Sequence, residues 1–203
     1  MTDLSCIPCF VRFCVLGALV SLDDFRFGQF MLSRPIVIGP ALGYFLGDTA
    51  RGALLGASVE FLTLESLPIG PQVPINGTLA ACAAVWVGQQ ADAPGFGLAG
   101  GLALGWAFSW MEAALRALFN KVNPLVEELW RQGRPQMPGL FAVSGAAAHF
   151  GAALTFLMLA LRGLEWAAAA GKGLRVFDGF ETAFVIVPVL AFASTLTALR
   201  PRS

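Results

Sequence analysis

LDDFRFGQFMLSRPIVIGPALGYFLGDTARGALLGASVEFLTLESLPIGPQVPIN, residues 22–76, decides how this chain is read. The stretch is apolar enough for a membrane. It nevertheless carries Asp23, Asp24, Arg26, Gln29, Arg34, Asp48, Arg51, Glu60, Glu65, Gln72 and Asn76, together with Pro35, Pro40, Pro68, Pro71 and Pro74. A plain anchoring helix has no use for these groups. A charge at the bilayer centre costs about 2.5–3.5 kcal/mol on insertion scales, so it is kept for a reason. Apolar segments broken at polar positions are the way transporters build sites near the membrane midplane.

The rest of the chain has the same character. Of 203 residues, 57% are hydrophobic and only 13% charged, against about 25% charged in soluble domains. The fold class expected is all-α, a polytopic integral membrane protein with broken or re-entrant helices. Six or seven spans of about 20 residues, some shortened, would use nearly all of it. We therefore expect a single membrane domain over 1–203. Residues 1–119 form a core-like half holding the 22–76 region, and 120–203 form a shorter second half. Formal net charge is zero, which gives no footprint for nucleic acid. The start, MTDLSCIPCF, lacks a basic region and carries Asp3, so the first apolar stretch reads as a retained membrane segment.

Apolar segments fall at about 5–21, 35–47, 52–64, 77–90, 96–119, 138–161 and 179–199. Two polar connections, 120–136 and 162–178, separate the last three. Each has room for a short interfacial helix, with Trp130 and Trp166 at headgroup depth. Arg116, Lys121, Arg131 and Arg134 lie two spans from Arg200 and Arg202, whereas the turn at 91–95 has no basic residue. That asymmetry predicts a cytoplasmic C-terminus. Gly39, Gly43 and Gly47, then Gly52 and Gly56, then Gly97, Gly101 and Gly105 recur every four residues. Each run lays a smooth groove along a helix for close packing, or for sliding of a moving part.

Several polar positions could carry chemistry. Prolines every third residue in LPIGPQVPIN favour an extended path over 66–76. At membrane depth such backbone must be buried in protein or line a wet cavity. It reads as a re-entrant or unwound element that presents Gln72 and Asn76, or else as a surface loop. Asp23, Asp24 and Gln29 sit in a second break beside Phe25, Phe27 and Phe30. Carboxylate, amide and ring are the groups that recognise a sugar's hydroxyls and its apolar face. The same segment also reads as a solvated turn. Glu60, inside ALLGASVEFLTL, pairs with an internal arginine or faces a hydrophilic cavity. Arg34 partners a carboxylate or snorkels. Glu65 and Asp48 lie nearer segment ends.

His149 is the single histidine, with no companion for catalysis, and reads as structural. Cys6-Ile-Pro-Cys9 has redox-like spacing but no second pair, so Cys6, Cys9, Cys14 and Cys82 read as small apolar residues. No phosphate-binding loop, serine triad or metal-ligand spacing is present in the sequence. No cofactor, no metal and no catalytic residue are expected.

LDDF…GQFMLSRPIVIGPALGYFLGD, then GALLGASVEFLTL, then LPIGPQVPINGTLA resembles the N-terminal half of a phosphotransferase-system (PTS) IIC subunit of the mannose/fructose/sorbose family. The resemblance covers about 65 residues; the remaining 120 or so agree in hydropathy alone. It implies a sugar-translocating subunit that works with a IID membrane subunit. Phosphate would pass from phosphoenolpyruvate through enzyme I, HPr, IIA and IIB, with the phosphohistidines on IIA and IIB. It implies an elevator-type transporter architecture in the cell inner membrane, and it leaves a homo-oligomer open. The family's polar positions fall on Asp24, Gln29, Glu60 and Asn76, with Asp23 and Gln72 beside them. The chain is shorter than the resemblance leads one to expect, and the shortfall is expected after about residue 120. The alternatives are a facilitator without phosphate coupling and a non-transporting sugar sensor that kept the pocket.

Overall fold

The computed structural model describes residues 7–24, 30–64, 74–171 and 175–198. Among the described residues seven α-helices run in the order α1 (Ile7–Ser21), α2 (Pro35–Leu46), α3 (Thr49–Thr63), α4 (Gly77–Gln90), α5 (Pro94–Arg131), α6 (Met137–Gly171) and α7 (Arg175–Ala198). A single 3₁₀ turn, Leu22–Asp24, follows α1. No strand occurs among the described residues.

The first six helices fall into two length groups, and α7 has 24 residues. α1 to α4 have 12–15 residues, about 18–23 Å at 1.5 Å per residue. Each is shorter than the roughly 30 Å hydrocarbon core. α5 and α6 have 38 and 35 residues, long and apolar enough to cross a membrane. Both run through what the sequence presents as polar connections. Glu127–Arg131 and Glu128–Gln132 pairs one turn apart carry α5 past Pro124 to its end. The interfacial helices expected at 120–136 and 162–178 are therefore largely extensions of these two helices. Trp130 and Trp166 are exposed on them.

α2 and α3 form a tight hairpin, and its sequence explains each step. Pro35 opens α2 with φ already helical. Gly47 closes it at φ 95°, a left-handed conformation that suits glycine. Asp48 then accepts the Arg51 amide at 2.9 Å and caps α3. The two helices touch backbone to backbone. A Cβ on Gly43 would lie 2.8 Å from the Gly52 Cα, and one on Gly52 would lie 2.5 Å from the Gly43 Cα. Gly47 is the exception to the four-residue run, since a Cβ there would meet nothing and its role is conformational.

α4 is the buried centre, with every residue from Thr78 to Gly88 enclosed. A helix apolar on all sides belongs there. Gly97, Gly101 and Gly105 of α5 lie against Gly88, Ala84 and Ala80 of α4. These contacts identify the glycine grooves as packing surfaces inside the subunit. Trp86 meets Phe10 of α1 edge-on and Phe13 at a tilt, and donates its indole N–H to Glu165 of α6 at 2.5 Å. Arg162 pairs with Glu165 at 2.8 Å and covers the Phe10 ring at 3.9 Å. This cluster fastens α1, α4 and α6 together.

α7 is tied on by a carboxylate. Glu181 accepts the Gly95 amide at 3.0 and 3.1 Å and the Phe96 amide at 3.4 Å. It thereby caps donors at the start of α5 that have no partner within the helix. Glu181→Ala is expected to lower stability by about 1–2 kcal/mol. Glu181→Gln, which keeps an acceptor oxygen, should lose less. Thermal unfolding of the detergent-solubilised protein measures both, and equal midpoints for all three proteins would refute the cap.

Candidate functional site

The described flanks of the two sequence breaks meet at one end of the α2–α3–α4 group. Asp23 receives the backbone N–H of Phe30 at 2.8 Å on Oδ1, and those of Leu32 at 2.8 Å and Ser33 at 3.4 Å on Oδ2. Three of its roughly four acceptor positions are thus taken by backbone. Met31, between two of these donors, is held at φ 63°, a conformation that costs a non-glycine residue about 1–2 kcal/mol. Asp23 therefore shapes the break. Ser33 passes the geometry on, because its carbonyl accepts the Thr78 hydroxyl at 2.8 Å. The start of α4 is in this way joined to the start of α2.

Glu60 lies one turn before the end of α3 and is only 8% exposed. Its Oε1 accepts from Arg34 Nη1 at 3.0 Å. Its Oε2 is buried with no hydrogen-bond partner among the described residues. Sequence reasoning offered an internal arginine or a hydrophilic cavity for this group. The structure supplies the arginine and leaves one oxygen unspent. An unpaired buried carboxylate oxygen is a costly thing to keep, unless another donor comes to it. Arg34 is the residue before Pro35 and stays extended at ψ 131°. That conformation swings its guanidinium away from α2 and onto α3.

Asn76 is the N-cap of α4. Its Oδ1 accepts the Leu79 amide at 3.0 Å, and its Nδ2 donates to Glu112 Oε2 at 3.3 Å. Its own N–H reaches Ser109 Oγ at 2.8 Å and the Gly105 carbonyl at 3.3 Å. Glu112 in turn accepts from Arg116 at 2.8 Å. Gly77 stands beside Pro35 and Thr63, its hypothetical Cβ 3.0 Å from Pro35 Cγ and 3.7 Å from Thr63 Oγ1. So Asp23, Arg34, Glu60 and Asn76 come from four separate elements at the same end of the α2–α3–α4 group, and of these side chains Arg34 and Glu60 are in direct contact. Gln29 and Gln72 lie outside the described residues, as does the side chain of Asp24, and so does the 66–73 part of the expected unwound element. Residues 74–76 are non-helical, as expected.

Ser109 and Glu112 were not singled out in the sequence, and Arg116 entered only as a basic residue of the topology. Their signal was available: Glu112 interrupts the apolar run GWAFSWMEAALRALF, with Arg116 one turn on. Asp48, which the sequence places near a segment end, has a capping role at the far end of the hairpin. There Arg51 also binds Asp92 at 2.7 Å, and Gln89 donates to the Asp48 carbonyl at 2.8 Å. His149 is buried between α1 and α5, 3.4 Å from Ser21 Oγ and edge-on to Phe108. Cys9, Cys14 and Cys82 are free thiols; Cys6 lies outside the described residues. No cluster of metal-ligating side chains occurs among the described residues.

Half-length helices, a backbone-to-backbone hairpin and an incompletely satisfied carboxylate inside an apolar body are the marks of a helical membrane protein built from broken spans. The sequence profile described as PTS system sorbose-specific IIC component matches residues 9–202. The chain belongs to that family of phosphotransferase-system IIC components. It is 30% identical over 102 residues to the mannose-specific EIIC component of Escherichia coli (strain K12). That match covers 49% of this chain and 36% of the relative, so the chain aligns with little more than a third of that protein. A putative N-acetylgalactosamine permease IIC component 2 of the same strain is 29% identical over 119 residues, 54% of this chain and 89% of the relative. Two solved structures share the fold. One is described as the structure of a membrane protein, with TM-score 0.73 and 20% identity over 99% of this chain and 81% of the other. The second is the mannose transporter ManYZ in complex with microcin E492, with TM-score 0.63, 18% identity and the same coverage.

Proposed function

We propose that this chain is the sugar-translocating IIC subunit of a mannose-type phosphotransferase permease. It lies in the inner membrane as a multi-pass protein with a cytoplasmic C-terminus, beside a IID subunit. It binds a hexose-like sugar among Asp24, Gln29, Glu60 and Asn76, with Asp23 and Gln72 adjacent. The loaded part moves as an elevator, and the sugar is passed inward to be phosphorylated by IIB, which is recharged by IIA. The chain itself breaks no bond.

The observation that carries this reading is Glu60. Its Oε1 is fixed by Arg34, and its Oε2 is left as an acceptor in a buried setting. A sugar hydroxyl is the neutral donor that such an oxygen accepts best, because it completes the pair without adding charge. The family match along 9–202 supplies the transport context.

The test is phosphoenolpyruvate-dependent uptake of labelled mannose, sorbose and N-acetylgalactosamine in membrane vesicles. The vesicles carry the full chain with its IID partner, with and without IIB. Uptake of at least one sugar that stops when IIB is withheld is the expected result. Uptake indifferent to IIB would replace the proposal with an uncoupled facilitator. Binding without uptake in the complete system would replace it with a sensor.

A further inference from the structure

The structure assigns to Glu112, in the middle of α5, the role of a positioning residue that fixes which way the Asn76 amide faces. This rests on the reading of Asn76 as a sugar contact. Glu112 is a carboxylate only 7% exposed, beside Asn76 at 4% and Ser109 at 2%. A charge so enclosed in an apolar helix persists where it has work for both oxygens. One oxygen takes Arg116 at 2.8 Å, and the other takes Asn76 Nδ2 at 3.3 Å.

The chemistry of the two neighbours of Asn76 settles its orientation. The Leu79 N–H is only a donor, so it requires Oδ1, at 3.0 Å. The Glu112 carboxylate is only an acceptor, so it requires Nδ2. Flipping the amide would break both contacts and set like against like. The Asn76 backbone is anchored to the same helix through Ser109 and Gly105, so the side chain cannot shift as a whole. What remains uncommitted on Asn76 among the described residues is one N–H of Nδ2 and one lone pair of Oδ1. Glu112 thus holds Asn76 ready to donate to an oxygen of the bound molecule. Glu60 Oε2, by contrast, can only accept. A donor and an acceptor held in fixed senses discriminate among hydroxyl arrangements, because a mismatched ligand leaves a buried group unpaired.

Glu112→Gln is the critical variant. A glutamine amide can still offer an oxygen to Asn76, but its NH₂ then faces the Arg116 guanidinium. The alternative rotamer meets Asn76 donor to donor. Either way the orientation is no longer enforced. With the full chain and its IID partner in vesicles, and the same three sugars as probes, the apparent KM of the transported sugar should rise about ten-fold. Maximal uptake and the unfolding midpoint should stay near wild type. Asn76→Ala should raise KM similarly, and the double variant should be no worse than the poorer single one, since both remove the same contact. Glu112→Asp should recover part of the loss.

An unchanged KM in Glu112→Gln would overturn the inference, and so would additive effects in the double variant. If both Glu112→Gln and Glu112→Asp fail to fold, Glu112 belongs to the packing of α4 on α5 and the inference is likewise overturned. Absence of sugar binding in the wild-type complex would instead bring down the underlying reading of the site.

Discussion

Gly39→Val will prevent the folded protein from accumulating. A Cβ on Gly39 would stand 2.6 Å from the Gly52 carbonyl oxygen and 2.7 Å from the Gly56 Cα. Both obstacles are backbone, so no side chain can turn aside. Relief requires the α2–α3 hairpin to part, and that also separates Gly43 from Gly52 and Gly56 from Pro35. Overpacking of an ordinary core costs about 1–3 kcal/mol. With backbone on both sides the loss here should reach about 3 kcal/mol or more. Gly39→Ala should lie between valine and wild type. Gly151→Ala, where a Cβ would meet nothing within 4 Å, should match wild type or exceed it by a few tenths of a kcal/mol. Size-exclusion profiles and unfolding midpoints in detergent report all three. A Gly39→Val protein as stable as wild type would mean that the hairpin does not pack as described.

The ion pair at Glu60 should separate folding from transport. Arg34→Ala leaves the Glu60 carboxylate buried without its cation. Removing one member of a fully buried pair costs about 3–5 kcal/mol. The Arg34 side chain is 53% exposed, so screening brings the expected loss nearer about 2 kcal/mol. Glu60→Gln keeps the volume and removes the charge, and should change stability by less than about 1 kcal/mol. Its sugar uptake should nevertheless fall about ten-fold or more, because a charged acceptor is replaced by a weaker neutral one. Adding Glu60→Gln to Arg34→Ala should restore stability without restoring uptake. Wild-type transport by Glu60→Gln would remove Glu60 from the sugar site.

Much of this architecture could be read from residues 22–76. Glycines every fourth residue offered a surface for close helix contact or for sliding, and the structure places all of them except Gly47 in contact between α2 and α3 or between α4 and α5. Glu60 was legible because an ionised group amid apolar neighbours has few acceptable environments. Its cation proved to be Arg34, at the other break. Two features were harder to see, each for a physical reason. The extent of α5 and α6 was hidden because polar residues on a long helix look like a loop, unless their four-residue pairing is followed. The role of Asp23 was ambiguous because a carboxylate accepts equally well from a sugar hydroxyl or a backbone amide. The distance to Phe30, Leu32 and Ser33 exists only once the chain has turned back on itself.

The bond from Glu181 to the first turn of α5 has a consequence for biosynthesis. The acceptor lies 86 residues after Gly95. At about 5–20 residues per second, the ribosome takes on the order of 4–17 s to deliver it. Throughout that interval the opening amides of α5 have no carboxylate from α7 to receive them. A helix that emerges later therefore completes an earlier one. A chain that lost α7 to truncation would enter the membrane with α5 bearing an unfinished end, which quality-control proteases can recognise.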